Sequence, residues 1–184
     1  MAESPEDELE RLARHPDLGG FAATLRAEWR DEEEELARAA LEQWTHQRTL
    51  GDVARELMHR GDNVAVLMSG TAFSGRIIEV GRDVVVVATV LGKVDIHLEA
   101  PVMLRVVERA KSGGTRGGGV KSFRARMAER EMDGDEVVVG TVLTRHTLRG
   151  VVVLGRDHLH VRDRSGAETY VRLADITYVA GASD

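Results

Sequence analysis

Cysteine is absent from this chain of 184 residues, and aromatic residues make up only 4% of it. Without cysteine the protein has no disulfide bond, no thiol nucleophile and no metal site with thiolate ligands. This composition favours the cytoplasm, where disulfide frameworks are rare. The scarcity of aromatic side chains leaves few platforms on which single-stranded nucleic acid could stack its bases.

Long hydrophobic runs are missing as well. The longest nearly apolar stretch, residues 84–91, is interrupted by Thr89. It is far shorter than the roughly 20 apolar residues that a membrane-spanning helix needs. The first eight residues are mostly acidic or polar, and no apolar segment of the secretory type follows them. We therefore expect a cytoplasmic protein with no membrane partner.

Charge is distributed unevenly along the chain. Residues 1–40 contain 12 acidic and 5 basic side chains, a net charge of −7, whereas the whole chain has a net charge of −6. The remaining residues are therefore close to neutral. Residues 1–18 also lack apolar periodicity, so the sequence predicts a disordered acidic arm there.

A long amphipathic helix is predicted over residues 19–48. The segment from Phe21 to Gln47 contains neither glycine nor proline, and its apolar residues recur at helical spacing. Two interpretations are open, because this apolar stripe either covers the protein's own core or contacts a protein partner. The candidate interface residues of the stripe are Leu25, Trp29, Leu36 and Trp44.

A basic, glycine-rich segment lies in the middle of the chain. Residues 109–126 contain no acidic side chain, and the glycines at 113–114 and 117–119 predict a flexible linker over residues 109–121. The segment is either a solvated tether or a nucleic-acid-binding strap, since contacts to phosphates dominate nonspecific affinity. The candidate nucleic-acid-binding residues are Arg109, Lys111, Arg116, Lys121, Arg124 and Arg126.

An internal repeat is the most informative feature of the sequence. The string GDNVAV at residues 61–66 recurs as GDEVVV at 134–139, and GRD at 81–83 recurs at 155–157. The offset between equivalent positions stays between 73 and 75 residues. One additional residue separates Gly75 from Gly81 in the first copy, which indicates a β-bulge there.

Each copy predicts a short helix followed by five strands, over residues 49–108 and 122–184. Thr49 and Asp52 form a candidate capping box for the first helix, and Ser122 is the candidate N-cap of the second, which ends at Gly134. The strands are rich in valine and separated by glycines. They are predicted at residues 64–68, 74–80, 84–89, 93–98, 102–107, 137–142, 148–154, 158–163, 168–173 and 176–179.

Five short strands cannot bury a face as a flat sheet, and closure into a small barrel is a common solution. Gly75 and Gly150 lie in mid-strand, where they would allow the sharp bend that closure needs. The predicted fold is therefore α+β: a long N-terminal helix followed by two small five-stranded barrels, each preceded by a short helix.

The repeated pattern resembles the Sm-like fold of Lsm and Hfq proteins. A short helix, GxxVxV, GxD and a final hydrophobic-x-Leu occur in this order twice. The layout also resembles uncharacterised actinobacterial proteins. The resemblance implies association of barrels edge to edge, with the two copies pairing within the chain and several chains forming a ring. The uridine-pocket residues of RNA-binding Sm-like proteins have no counterparts in loops 88–92 and 162–166.

Signals for catalysis and metal binding are weak. His158 and His160 alternate on one strand beside Asp157, but a metal would need a third ligand, and Asp95 and His97 belong to another strand. The sequence contains no P-loop, nucleophile elbow or zincin motif. The repeated GRD is explained by turn chemistry. We therefore expect no enzyme, metal, cofactor or small-molecule substrate.

These features favour a non-enzymatic assembly or protein-interaction module built on the tandem repeat. The expected partner is a second copy or another protein. The alternative is an RNA-binding or single-stranded nucleic-acid-binding protein that uses the basic linker and the barrel surface.

Overall fold

The structure is a computed structural model, and it describes residues 16–68, 70–111, 113–115 and 121–182. The chain divides into two units, residues 1–48 and residues 49–184. Helix α1, Pro16–Gln47, forms the described part of the first unit together with Arg48. The predicted disordered arm, residues 1–18, lies outside the described residues up to residue 15, and residues 16–18 belong to helix α1, which begins three residues before its predicted start. None of the described helices combines the length and the apolar content of a membrane span.

The second unit contains the repeat, each copy with one short helix and five strands in its described residues. The first copy consists of α2 (Leu50–Arg60), β1 (Asn63–Met68), β2 (Thr71–Val80), β3 (Val84–Thr89), β4 (Gly92–His97) and β5 (Met103–Glu108). The second copy consists of α3 (Phe123–Asp133), β6 (Val137–Thr141), β7 (Leu148–Leu154), β8 (His158–Arg162), β9 (Glu168–Arg172), a short 3-10 helix (Leu173–Asp175) and β10 (Ile176–Gly181). The predicted strands are confirmed, with ends that differ by at most three residues.

Both short helices begin and end at the predicted residues. The Thr49 hydroxyl accepts a hydrogen bond from the backbone of Asp52, whose carboxylate accepts one from the backbone of Thr49, so the capping box is complete. The Ser122 hydroxyl caps α3 by accepting a hydrogen bond from the backbone N–H of Ala125, without the reciprocal carboxylate bond of a capping box. Gly61 and Gly134 end the helices with φ angles of 77° and 69°, a left-handed conformation that glycine adopts without a Cβ clash.

The predicted β-bulge is present in strand β2. The register between β2 and β3 shifts between Ile77 and Glu79, which accommodates one additional residue on β2. The equivalent strands β7 and β8 pair in continuous register from Val151 to Leu154. The difference in spacing between the two copies therefore marked a real local irregularity.

Gly75 and Gly150 have a different role from the one predicted. A Cβ atom at Gly75 would lie 2.1 Å from the carbonyl oxygen of Ala88, and one at Gly150 would lie 2.1 Å from that of Arg162. These distances are far below van der Waals contact. The two glycines are therefore required by the close approach of the neighbouring strand, in the same place in each copy.

The prediction of two closed five-stranded barrels is wrong. The ten strands of the described residues form a single open antiparallel sheet in the order β5-β1-β2-β3-β4-β10-β6-β7-β8-β9. Strand β4 pairs with β10 of the other copy. A closed first barrel would instead need β4 to pair with β5, the last strand of its own copy. The valine pattern specifies where strands lie, and it does not specify which edges pair. The two copies do pair within the chain.

Two hydrophobic cores lie along this sheet, and each receives a side chain from the other copy. The first core contains Met58, Val64 and Ile96 of the first copy and also Tyr178 of β10. The second contains residues of α3 and β6–β10 together with Val84 of β3. Because each core buries an apolar side chain of the other copy, the folding of one copy depends on the other.

Candidate assembly interface

The two copies meet where β4 of the first copy contacts α3 and β10 of the second, and we name this contact the inner junction. Strand β10 pairs with β4 so that Tyr178 lies opposite Ile96 and Val179 opposite Asp95. The Tyr178 ring packs edge-on against Phe73, with ring centroids 4.7 Å apart. Burial of Tyr178 raises the pKa of its hydroxyl. Backbone pairing and apolar burial thus both hold the inner junction.

Asp95 is the charged centre of the inner junction, and it is completely buried. Its Oδ1 accepts hydrogen bonds from Nε and Nη2 of Arg126 at 3.0 and 2.9 Å. Its Oδ2 lies 2.9 Å from Nε and 2.8 Å from Nη2 of Arg130. Charge-assisted, two-pronged contacts of this kind are strong and geometrically specific. Helix α3 is therefore held to β4 by an ionic triad.

The first copy also holds the start of helix α3. The Asp83 carboxylate accepts a hydrogen bond of 2.7 Å from the backbone N–H of Phe123, and the carbonyl of Lys121 accepts one of 3.1 Å from the backbone N–H of Arg82. The Phe123 ring stacks on His97, with centroids 4.4 Å apart and planes 13° from parallel. Asp83, the aspartate of the first GRD motif, thus contacts the N-terminus of helix α3 in the other copy.

Strands β5 and β9 end the sheet in the described residues, and we name them the outer edges. Each has a counterpart in the inner junction, because β5 is the last strand of its copy, as β10 is, and β9 is the fourth strand, as β4 is. Backbone hydrogen bonds support this equivalence. The N–H of Leu98 donates to the backbone carbonyl of Asp83 at 2.9 Å, and the N–H of Leu173 donates to the backbone carbonyl of Asp157 at 2.8 Å. The outer edges are therefore the counterparts of the two strands that pair in the inner junction.

Burial separates the inner junction from the outer edges. At three equivalent positions, the side chain that the inner junction buries has a counterpart that is exposed. The pairs are Tyr178 and Met103 (5% and 63% exposed), Asp95 and Tyr170 (0% and 62%), and Phe123 and Leu50 (2% and 36%). Two more apolar side chains, Val106 and Val107, are exposed on β5. The outer edges thus present apolar surface that has no cover within the described residues.

The structure places the candidate cations in different environments. Arg126 belongs to the inner junction, where it contacts Asp95 and Glu129. Lys121 Nζ lies 2.6 Å from a carboxylate oxygen of Glu129. Arg124 donates hydrogen bonds of 2.8 and 2.7 Å to the carbonyls of residues 155 and 156. Three of the six candidates are therefore engaged in contacts within the chain.

The other candidates lie at the start of the linker. Arg109 and Lys111 line an open groove beside Asp62, together with the end of α2. The backbone N–H of Ala110 donates a 2.9 Å hydrogen bond to the buried Asp62 carboxylate, and this bond lowers the pKa of Asp62, with Arg60 adding to the effect. The start of the linker is thus tied to the segment that joins α2 to β1. Arg116 lies outside the described residues.

The candidate protein interface on helix α1 is exposed where its side chains are described. Trp29, Leu36 and Trp44 are all exposed, and the guanidinium of Arg48 lies 4.2 Å from the centre of the Trp44 ring. The side chain of Leu25 lies outside the described residues. Trp29 and Leu36 line a shallow groove along one face of the helix.

The histidines of strand β8 share one face, as predicted, and both face Tyr170 on β9. The His160 ring stacks on Tyr170 at 4.5 Å with planes 8° apart, and the His158 ring lies 5.8 Å away. In the described part of the chain, no three potential metal-ligating side chains come together. The aromatic group therefore belongs to the surface of the outer edge at β9.

Sequence reasoning missed Asp95 and Phe123 as junction residues and assigned Arg126 to nucleic acid because it ends a basic run. A position-by-position comparison of the copies would have singled them out. Asp95 and Arg126 both change to uncharged residues in the other copy, Tyr170 and Val53. Comparison with known proteins adds nothing to this assignment, since no protein-family model and no curated protein matches the sequence.

Proposed function

We propose that this protein is a non-enzymatic, cytoplasmic self-assembly module whose copies join head to tail, β9 of one chain pairing with β5 of the next. One observation carries the proposal: positions that are buried in the inner junction are exposed at the outer edges. Strands with unpaired edges and exposed apolar side chains are templates for pairing with another chain. The partner is therefore a second copy of this chain.

The inner junction supplies the register of the proposed contact. Tyr178 lies opposite Ile96 there. Their counterparts at the outer edges are Met103 and Val171, so Met103 of one chain is expected to lie opposite Val171 of its neighbour. Met103 would then leave water, as Tyr178 does. An apolar groove beside β5 extends this surface; it is lined by Leu67, Met68, Pro101, Val102 and Met103.

A head-to-tail contact joins two different surfaces. Every open row of chains retains one free β5 and one free β9, so it closes into a ring or grows into a filament, depending on the rotation per subunit. A relationship to the Sm-like family is part of this proposal, and the repeated motif supports it. The nucleic-acid alternative has less support, because Lys121, Arg124 and Arg126 contact groups of their own chain.

The native mass of the purified protein tests the proposal. The double variant Met103→Lys/Val107→Lys places two charges on the exposed side of β5, which blocks strand pairing while leaving the buried cores intact. Wild type is expected to be an oligomer by light scattering after size exclusion, and the variant a monomer of 20.2 kDa. The control, Val151→Lys/Val153→Lys, adds the same charge to exposed positions of β7, an inner strand, and should assemble normally.

Two results would overturn the proposal. A wild-type chain that stays monomeric up to about 0.1 mM would show that the outer edges do not pair with useful affinity. An oligomer that survives the β5 variant unchanged would show that another surface joins the chains.

A further inference from the structure

The second GRD motif is not used within the chain in the way that the first one is. Asp83 of the first motif contacts the backbone N–H of Phe123 across the inner junction. The side chain of its counterpart Asp157 is 81% exposed, and one oxygen lies 3.0 Å from Nδ1 of His158. This hydrogen bond lowers the pKa of Asp157, so its carboxylate stays ionised at neutral pH. The equivalence of Asp157 to Asp83 points to a helix of another chain.

The chain carries a helix that matches this carboxylate. Leu50 is the first residue of α2, as Phe123 is of α3, and both helices follow a hydroxyl N-cap. Each helix packs on the second strand of its own copy, α2 on β2 and α3 on β7. Helix α3 additionally contacts β4, the fourth strand of the preceding copy. The equivalent contact for α2 would be with β9 of a preceding chain.

The residues of the inner junction and their counterparts at the outer edges and on α2 differ in charge at several positions together. Tyr170 occupies the position of the buried Asp95, and the two arginines of α3 that bind Asp95 are replaced in α2 by Val53 and Leu57. The acid and both of its partners are thus exchanged for uncharged residues together. A contact that kept one of these charges alone would bury it unpaired at high cost.

We propose, on the basis of the function above, that helix α2 of each chain docks on the β8–β9 end of the preceding chain, where Asp157 accepts a hydrogen bond from the N–H of Leu50 and Tyr170 packs against Val53. This contact between chains, of α2 and β5 with β9, is therefore apolar where the inner junction is ionic. An exchanged arrangement, with α2 on β4, would leave Asp95 without its arginines. This difference fixes the order of copies along the assembly.

The test measures the dissociation constant of assembly for single variants of exposed residues. Asp157→Asn removes the charge from the helix contact and should weaken association about tenfold. Tyr170→Ala removes an aromatic anchor and should weaken it at least as much. Asp133→Asn is the matched control, because it removes one exposed carboxylate at the end of α3 and should leave association unchanged.

A second measurement separates docking from folding. In the β5-blocked background, Asp157→Asn should change the unfolding midpoint little, because its exposed carboxylate contacts only the side chain of the next residue, His158, among the contacts described above. Asp83→Asn should lower the midpoint, because it breaks the contact with helix α3 of the same chain. If Asp157→Asn and Tyr170→Ala assemble like wild type while the β5 variant is monomeric, the docking of α2 is wrong and edge pairing stands. If wild type is itself monomeric, both proposals fail.

Discussion

Replacement of Asp95 by alanine should destabilise the second unit by about 3–5 kcal/mol, the usual cost of removing one partner from a buried ion pair. The carboxylate is completely buried and receives four N–H contacts of 2.8 to 3.0 Å from two guanidinium groups. Without it, two adjacent arginines whose side chains are only 15% exposed face each other with no shared counter-charge. A loss of this size corresponds to a fall of about 10–20 °C in the melting temperature of a domain of this length.

Urea unfolding followed by circular dichroism measures this loss. The Met103→Lys/Val107→Lys background keeps association between chains from contributing to the measured free energy. Asp95→Ala should lower the midpoint and leave the slope unchanged. Tyr170→Ala, at the equivalent position of the second copy, should cost about 1 kcal/mol or less because the side chain is exposed. If Asp95→Ala unfolds within about 1 kcal/mol of its parent, the ionic triad does not hold the inner junction.

Three further outcomes follow from the fold. Gly75→Ala should lower the melting temperature by several degrees, because the new Cβ would meet a backbone oxygen of β3. The expected overpacking cost is about 1–3 kcal/mol. An unchanged melting curve would contradict the close approach of the two strands. The Ala110 N–H lowers the pKa of Asp62, so the stability that this carboxylate contributes is present above its unfolded pKa of about 3.9 and is lost as pH falls through the lower folded value. Asp62→Asn should therefore destabilise the protein less at pH 3 than at pH 7, and an equal effect at both pH values would refute this assignment. The double variant Trp29→Ala/Trp44→Ala should leave the melting curve of the sheet unchanged, because both side chains are exposed, and a clear fall would place them in a core.

Local features of this fold could be predicted from the sequence with good accuracy. The capping box at Thr49, the glycine stops and the ten strands depend on residues close together in the chain, and the one-residue difference between the copies located the bulge next to Ile77. These features are encoded by turn chemistry and by the two-residue period of strands. The repeat supplied an internal check, because each element had to occur twice.

The pairing of sheet edges could not be predicted in the same way. Barrel closure and pairing between copies bury similar apolar faces, so the valine pattern is the same for both. The distinction lies in a few long-range contacts, chiefly those of Asp95 and Tyr178 with the other copy. Arg126 was assigned to nucleic-acid binding for the same reason, since its charge is evident in the sequence but its buried partner, 31 residues away, is not.

The most direct test of head-to-tail assembly mixes two chains that are each blocked at one outer edge. Met103→Lys/Val107→Lys keeps an intact β9, and Tyr170→Lys keeps an intact β5, so each variant alone should be a monomer of 20.2 kDa. An equimolar mixture should form a dimer of twice this mass, containing one copy of each variant, and should grow no further. A mixture that stays monomeric, or a variant that forms dimers alone, would contradict assembly through β9 and β5.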